Sequence, residues 1–160
     1  LWYIIDKTPS SAEYCLILLS SALEFVGNKK ITMNNLIIDA ANEKIFLMLI
    51  KDKNIYSVSH ENSKTNYEKI VMLINDFLSL NNLKIGNISK VYVNRGPGSF
   101  AGIRNSLSTI KALFLTKKID YYCFSFLDFD KLDKIKYQDV PYLCDKFKIK
   151  KNLINPIYLS

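Results

Sequence analysis

The chain has 160 residues, of which 49% are apolar, so it can fold as one domain with an ordinary core, or as one domain with an appendage. Its single histidine, His60, excludes a metal site built from clustered histidines. Three widely spaced cysteines form no metal-ligand or redox pattern and indicate a reducing compartment, the cytoplasm. The formal net charge of +7 permits contact with nucleic acid or an acidic partner, but dispersed, solvated lysines explain it equally well.

Residues 1–32 differ in character from the rest. Their longest apolar stretch, residues 14–26, is interrupted by polar side chains and is too short to span a bilayer. We expect neither a membrane span nor a signal peptide there. Because Met33 stands directly before a strong strand pattern, we expect residues 1–32 to be an N-terminal extension and Met33 to be the native start.

Three strands are predicted next, at residues 35–41, 44–50 and 55–59. The second is almost entirely apolar, which predicts burial on both faces. The Asp-Lys-Asn sequence at 52–54 is typical of a turn. Together the three segments predict an antiparallel meander.

A helix of about fifteen residues follows, with Thr65 or Asn66 as its N-cap. Its apolar face is wide enough to cover a sheet and still offer surface to a partner. That face comprises Ile70, Leu73, Ile74, Phe77 and Leu80, widened by Val71 and Leu78.

The pattern then gives a strand at 89–94, a glycine-rich loop, a helix from Ser99 to about residue 116, and a strand at 120–125. Ile103, Leu107, Ile110 and Phe114 recur at helical spacing in this second helix. The order of elements predicts an α/β fold, a mixed five-stranded sheet with two main helices packed on it. Residues 126–160 are charged and broken by prolines, and we expect the apolar stretch 155–159 to dock back on the body.

The glycine-rich loop is the most distinctive segment. It contains the only two arginines among 22 basic residues, in a chain that otherwise uses lysine, and arginine provides a planar forked donor that lysine cannot copy. Three glycines within seven residues predict a sharp bend or a close approach of the backbone. The motif loop comprises Arg95, Gly96, Pro97, Gly98, Ser99, Phe100, Gly102 and Arg104.

A strand, a glycine loop and a helix in succession can cradle a phosphate. This loop, however, lacks the Gly-Lys-Ser/Thr ending of a P-loop and the Gly-x-Gly-x-x-Gly pattern. Ser99 has no neighbouring base in sequence, so we interpret it as a helix cap rather than a nucleophile. We therefore predict no catalytic residue, cofactor or metal. A nucleotide-binding phosphotransferase-like or peptidase-like enzyme that uses the loop stays open as the alternative.

Residues 95–104, Arg-Gly-Pro-Gly-Ser-Phe-Ala-Gly-Ile-Arg, resemble the Arg-Gly-Pro-Gly-Ser-Phe-Thr-Gly-Leu-Arg signature of the TsaB (YeaZ) family. Residues 36–39, Leu-Ile-Ile-Asp, are similar to that family's opening Leu-Ala-Ile-Asp. Residues 70–78 and the terminal Pro-Ile-Tyr-Leu of 156–159 add weaker similarity. The resemblance covers about residues 33–126 and the tail.

The resemblance implies a Gcp-like domain, a single actin-like, ribonuclease-H-like lobe of the ASKHA type, at residues 33–126. It implies a non-catalytic scaffold and activator of tRNA threonylcarbamoyladenosine modification. The partners would be a TsaD-like catalytic subunit and a TsaE-like ATPase, with tRNA contacted through the complex and self-pairing as an open alternative. The candidate interface residues are Ile70, Val71, Ile74, Phe77, Ile103, Leu107 and Ile110.

Three departures from the family pattern matter. Asp39 is followed by Ala-Ala-Asn rather than Thr-Ser-Thr, which argues against ATP binding. A lone histidine does not supply the His-x-x-x-His pair by which TsaD-like enzymes resemble one another. Residues 127–160 are too few for the second lobe usual in the family, so we expect that lobe to be truncated to a short remnant. Direct tRNA contact through Lys146, Lys148, Lys150 and Lys151 is a further hypothesis, with an auxiliary role.

Overall fold

The computed structural model describes residues 33–129, 132 and 134–158, so the predicted extension 1–32 and Leu159 lie outside the described residues. None of the described helices is long and apolar enough to cross a membrane. The strands are β1 (Asn34–Asp39), β2 (Lys44–Lys51), β3 (Asn54–Glu61), β4 (Lys90–Asn94) and β5 (Asp120–Phe124). The helices are α1 (Lys64–Glu68), α2 (Ile70–Leu80), α3 (Phe100–Lys117) and α4 (Val140–Lys146).

The five strands form one mixed sheet in the order β3-β2-β1-β4-β5. β1 pairs antiparallel with β2 and parallel with β4, while β5 extends the parallel half. β2 and β3 are also antiparallel, so the predicted meander and the mixed five-stranded sheet are confirmed. Because β1, β4 and β5 are parallel, their carboxyl ends meet at one edge, and the glycine-rich loop leaves β4 there.

The first predicted helix is divided in two. Lys69 ends α1 and caps α2, and the N-cap of α1 is Ser63, not Thr65 or Asn66. The Ser63 hydroxyl accepts a hydrogen bond from the Asn66 amide at 3.3 Å, the usual work of an N-cap serine. The predicted apolar face also ends early, since Leu80 in the last turn is 83% exposed.

Helices α2 and α3 cover one face of the sheet. Their buried side chains join those of β1, β2 and β4 in the larger core cluster, which includes Leu36, Leu47, Val91, Phe77 and Leu107. The alternation of strand residues sends every second side chain of β2 into this cluster.

The opposite face of the sheet is covered by the segment after β5. Ile37, Tyr92 and Phe124 point from the strands into a second core, where Phe129 and Leu143 meet them. Residues 126–129 and 134–149, which show little pattern in the sequence, therefore form a second packed layer. The sequence predicted docking only for the apolar tail.

Two cysteines contribute to these cores. Cys123 on β5 is buried in the larger core, and Cys144 on α4 is buried in the second core. Burial raises the pKa of each thiol to about 12, so both stay protonated at neutral pH and pack as small apolar side chains.

Close backbone contact explains the glycines of the loop. Gly96 has a φ of +101°, and a Cβ there would collide with the carbonyl oxygen of Ile157. A Cβ on Gly102, in the first turn of α3, would collide with the carbonyl oxygen of Ala40 and lie 2.8 Å from Tyr67 Cε1. Gly102 thus allows α3 to start directly against the end of β1.

Gly102→Ala should therefore lower the free energy of unfolding, by about 1–3 kcal/mol, because the added methyl group forces α3 away from β1. Urea denaturation measures the change. Gly86→Ala is the matched control, since a Cβ at Gly86 meets no atom within 4 Å. Equal stability of the two variants would show that the contact of α3 with β1 does not depend on a missing side chain.

Candidate functional site at the glycine-rich loop

A buried carboxylate lies beside the loop. Asp39 ends β1 and is fully buried, and its Oδ1 accepts a hydrogen bond from the Ala41 amide at 2.9 Å. Its Oδ2 accepts three more, from the side-chain amides of Asn42 and Asn94 at 2.8 and 2.9 Å and from the Tyr137 hydroxyl at 2.6 Å. A carboxylate offers about four lone-pair positions, so these neutral donors occupy its capacity.

Tyr137 closes this network from the second layer. Its ring centroid lies 4.3 Å from that of Phe46 on β2. Burial, then the charge of Asp39 and the hydrogen bond to it, raise the pKa of Tyr137 above its usual range. The phenol therefore stays protonated and donates to Asp39 at physiological pH.

Three of the loop's own backbone donors are occupied by protein acceptors. The Gly96 amide donates to Asn94 Oδ1 at 2.9 Å, and the Ser99 amide donates to the Ala41 carbonyl at 2.8 Å. The Gly102 amide donates to Ser99 Oγ at 3.4 Å. A phosphate cradle needs such N–H groups directed at the ligand. Here they hold the loop against β1 and start α3.

Ser99 occupies the position that the sequence predicted. It is the N-cap of α3, and its hydroxyl also lies 2.7 Å from the hydroxyl of Tyr67. His60 lies in strand β3, which extends beyond the predicted strand 55–59. Within the part of the chain that the structure describes, no three of the His, Cys, Asp and Glu side chains form a metal-binding cluster.

The guanidinium group of Arg95 contacts two different acceptors. Its NH2 group lies 2.5 Å from Asp128 Oδ1, and its NH1 group donates to the Asn155 carbonyl at 3.0 Å. Its backbone carbonyl accepts from the Ile157 amide at 2.8 Å. Arg95 therefore ties the loop to the chain's last described segment, a task that needs two divergent N–H groups.

The other two distinctive residues of the loop face solvent. Arg104, the fifth residue of α3, is exposed and has no ion pair among the described residues, so it can meet a partner carboxylate. Phe100 packs on Tyr158 with the ring centroids 4.8 Å apart, and both stay partly exposed. This contact confirms, as far as residue 158, that the apolar tail docks on the body.

An open groove of about 780 Å³ runs beside the loop. Both charge signs line it, from Glu43 and Lys44, and Gly98 and Ser99 form its loop side. Tyr137 lines it as well, yet its hydroxyl is directed to Asp39. The groove has room for a small ligand, although Asp39 lies sealed beneath it.

The structure buries most of the predicted interface. The six residues Ile70, Ile74, Phe77, Ile103, Leu107 and Ile110 all belong to the larger core cluster, because the sheet of the same domain uses the whole inner face of α2 and α3. Val71 alone of the seven is exposed, at 47%. The surface available to a partner is therefore centred on Val71 rather than on the six buried side chains.

A shallow apolar groove adjoins Val71. It has a volume of about 150 Å³ and lies where α2 faces α3. Its lining residues are Val71, Ile74, Asn75, Ile85, Thr109 and Leu113. Met72 on α2 and Leu115 on α3 are further exposed apolar side chains on the two helices.

Sequence reasoning missed several residues that hold the loop. Asn94, the last residue of β4, was detectable, because adjacent parallel strands bring their carboxyl ends together beside Asp39. Asp128 and Tyr137 lie in a segment with no periodicity, so nothing local marked them. No feature of the sequence distinguished Tyr67 from the other residues of the first predicted helix.

Tyr137→Phe removes one donor from the buried Asp39 carboxylate and should cost about 1.5–3 kcal/mol of unfolding free energy at pH 7. Because the pKa of Tyr137 is raised in the folded protein, the protonated phenol contributes its full stabilisation below the unfolded pKa of about 10. That contribution is lost progressively as the pH rises from there through the higher pKa of the folded state. The variant should accordingly lose less stability than the wild type between about pH 9 and pH 11. Urea denaturation across this pH range tests both effects.

Tyr142→Phe is the control, since Tyr142 is exposed and its hydroxyl has no hydrogen-bond partner in the described part of the chain. It should leave stability within about 0.5 kcal/mol of the wild type. A Tyr137→Phe variant that behaves like this control would contradict the role of Tyr137 in holding Asp39.

Three comparisons with known proteins show what this chain is similar to. The family described as tRNA N6-adenosine threonylcarbamoyltransferase, TsaD, matches residues 53–129. The tRNA threonylcarbamoyladenosine biosynthesis protein TsaB of Buchnera aphidicola subsp. Schizaphis graminum (strain Sg) is 32% identical over 92 residues. The match covers 58% of this chain and 44% of that relative, so the chain spans less than half of its length.

Two solved structures share the fold. YeaZ from Pseudomonas aeruginosa superposes with a TM-score of 0.54 at 17% identity, over 58% of this chain and 44% of YeaZ. A structure described as an uncharacterized protein with similarity to peptidase YeaZ from Pseudomonas aeruginosa gives the same TM-score and identity, over 58% and 43% of the two chains. The predicted actin-like α/β fold is thereby confirmed. With the sequence identity to TsaB and the glycine-loop signature, these matches show that residues of this chain are similar to proteins of the TsaB/YeaZ family.

Proposed function

We propose that this chain is a non-catalytic scaffold and activator subunit in tRNA threonylcarbamoyladenosine formation. It pairs with a TsaD-like threonylcarbamoyltransferase and holds that enzyme in a working conformation. The pathway is supported by the similarity to TsaB and by the match to the transferase family.

The observation that carries the pairing role is the exposed apolar surface around Val71. The sheet already covers the inner faces of α2 and α3, yet Val71 and Met72 remain outside and a shallow apolar groove lies beside Val71. Burying such surface against a second protein is favourable, at about 25 cal/mol per Å². Arg104 adds a free guanidinium for a carboxylate on the partner.

The non-catalytic part of the proposal is supported by the loop's contacts. The amides of Gly96, Ser99 and Gly102 donate within the protein, and Ser99 Oγ is engaged by Tyr67 and by the helix it caps. Asp39 is saturated by neutral donors and offers no free lone pair to a metal ion. The enzymatic alternative, phosphotransferase-like or peptidase-like, retains one favourable observation, the groove beside the loop.

The remaining partners form part of the same proposal. A TsaE-like ATPase joins the pair, tRNA is bound by the complex in the cytoplasm, and self-pairing competes for the same apolar surface. The domain division is also proposed, with residues 33–126 as the ribonuclease-H-like lobe and 127–160 as the short C-terminal remnant.

Val71→Asp should abolish pairing with the TsaD-like protein of the same genome while leaving the domain folded. A carboxylate placed at the centre of the contact would have to be buried unpaired, which costs several kcal/mol. Isothermal titration of the two purified proteins measures the pairing, and circular dichroism measures the fold.

Leu127→Asp is the matched control, because Leu127 is 53% exposed and lies beyond β5, away from α2. It should pair with wild-type affinity. If Val71→Asp pairs as well as Leu127→Asp does, the surface at α2 is not the interface and the proposal fails. If Val71→Asp instead forms no pair because it has unfolded, Val71 belongs to the core.

A further inference from the structure

One end of the sheet collects lysines from separate parts of the sequence. Strand register places Lys51, at the end of β2, opposite Asn34 at the start of β1. Lys90 starts β4 opposite Asn35, and Asp120 starts β5 opposite Lys90. This end is therefore where the parallel strands begin, opposite to the end that carries the glycine-rich loop.

Other lysines reach the same end by short connections. Lys53 lies in the turn between β2 and β3, and Lys117 and Lys118 end α3 directly before β5. Lys151 follows α4 and forms an isolated β-bridge with Tyr122 on β5. We name these six residues the basic end: Lys51, Lys53, Lys90, Lys117, Lys118 and Lys151. The same strand ends and turn also place two acidic residues there, Asp52 and Asp120.

Asn152 fixes the last of these lysines in place. Its backbone amide donates to the Tyr121 carbonyl at 2.8 Å, and its side-chain oxygen accepts from the Tyr121 amide at 3.0 Å. Its side-chain amide donates to Asp120 Oδ1 at 2.7 Å, while Lys151 Nζ lies 3.3 Å from Asp120 Oδ2. The hydrogen bond from Asn152, with those of Lys151 and the charges of Lys151 and Lys90, lowers the pKa of Asp120.

Several of these lysines have no acidic partner. Lys53, Lys117 and Lys118 are exposed, and none of them forms an ion pair with the described residues. The negative end of the α3 dipole stabilises the charges of Lys117 and Lys118, but it does not act on Lys53 or Lys51. The charge is therefore available to an external ligand.

The opposite end of the sheet carries both signs in closer balance. Asp39, Glu43, Glu61 and Asp128 accompany Lys44, Lys64 and Arg95 there, and Lys148 and Lys150 line a cavity beside Arg95. At the basic end, by contrast, the strand ends and the turn place two acidic residues beside six lysines.

We propose that the basic end binds the phosphate backbone of RNA. Lysines are depleted at protein–protein interfaces, where arginine is preferred, whereas they supply the phosphate contacts of nucleic-acid sites. Tyr56, exposed on the edge strand β3 within two residues of the turn at Lys53 and Asn54, provides a ring on which an unpaired base can stack. The choice of RNA rather than DNA rests on the proposed function, in which the complex acts on tRNA.

Fluorescence anisotropy of a labelled, unmodified tRNA transcript, titrated with the full chain at several KCl concentrations, tests the proposal. Saturable binding should weaken steeply with salt. The triple variant K53E/K117E/K118E should weaken binding at least about tenfold at 0.1 M KCl and reduce the salt slope by about 2–3, because three phosphate contacts are lost.

The control K44E/K64E/K69E changes the net charge equally with exposed lysines from the loop end and α1. It should bind tRNA within about threefold of the wild type, since its lysines lie away from the ligand. If both triple variants weaken tRNA binding equally, net charge alone explains the effect and the proposal is wrong. The proposal is also wrong if the wild type does not bind tRNA, or if it binds duplex DNA or polyglutamate with the same affinity.

Pairing with the TsaD-like protein separates this inference from the proposed function. K53E/K117E/K118E should retain full pairing in the titration used for Val71→Asp, because none of the altered lysines lines the groove at Val71. Loss of tRNA binding with pairing intact would place RNA contact at the basic end. Loss of pairing with tRNA binding unchanged would implicate a different surface, and would overturn the assignment made here.

Discussion

The loop end of this domain depends on one buried carboxylate that forms no ion pair with any cation among the described residues. Asp39 is held by four neutral donors, one from its own turn, one from Asn42, one from Asn94 on the neighbouring strand and one from Tyr137 in the second layer. Removing a carboxylate from water is costly unless its hydrogen bonds are replaced. Those four bonds therefore fix the ends of β1 and β4, and the second layer, relative to one another.

The position of the partner surface follows from this arrangement. Asn94, held by Asp39, accepts a hydrogen bond from Gly96 and so sets the first turn of the loop. Gly102 then lets α3 begin against the end of β1, and Ser99 caps the helix. Because α3 is placed in this way, α2 packs beside it and leaves Val71 next to the apolar groove on the outer side. The loop thus places the helix beside which the proposed partner surface lies.

Much of this fold could be predicted from residue patterns, because strands and helices with one buried face leave a periodic record. The five strands, the meander and the cap at Ser99 were all detectable in that way. The predicted interface failed for a physical reason: a wide apolar stripe does not say which of its residues the domain's own sheet will cover, and of the seven predicted interface residues the core buries all but Val71. Tyr137 and Asp128 act over long sequence separations from an irregular segment, so only the structure could bring them to the loop.

The central claim is that the loop end is occupied by the protein's own contacts and that the chain acts through its surfaces. Isothermal titration of the full chain with Mg-ATP tests this most directly, because a phosphate-binding loop and a free carboxylate would both be required for the enzymatic alternative. The account predicts no saturable heat at millimolar nucleotide. Saturable binding that is lost in Asp39→Asn would contradict it and would restore the groove beside the loop as a nucleotide site.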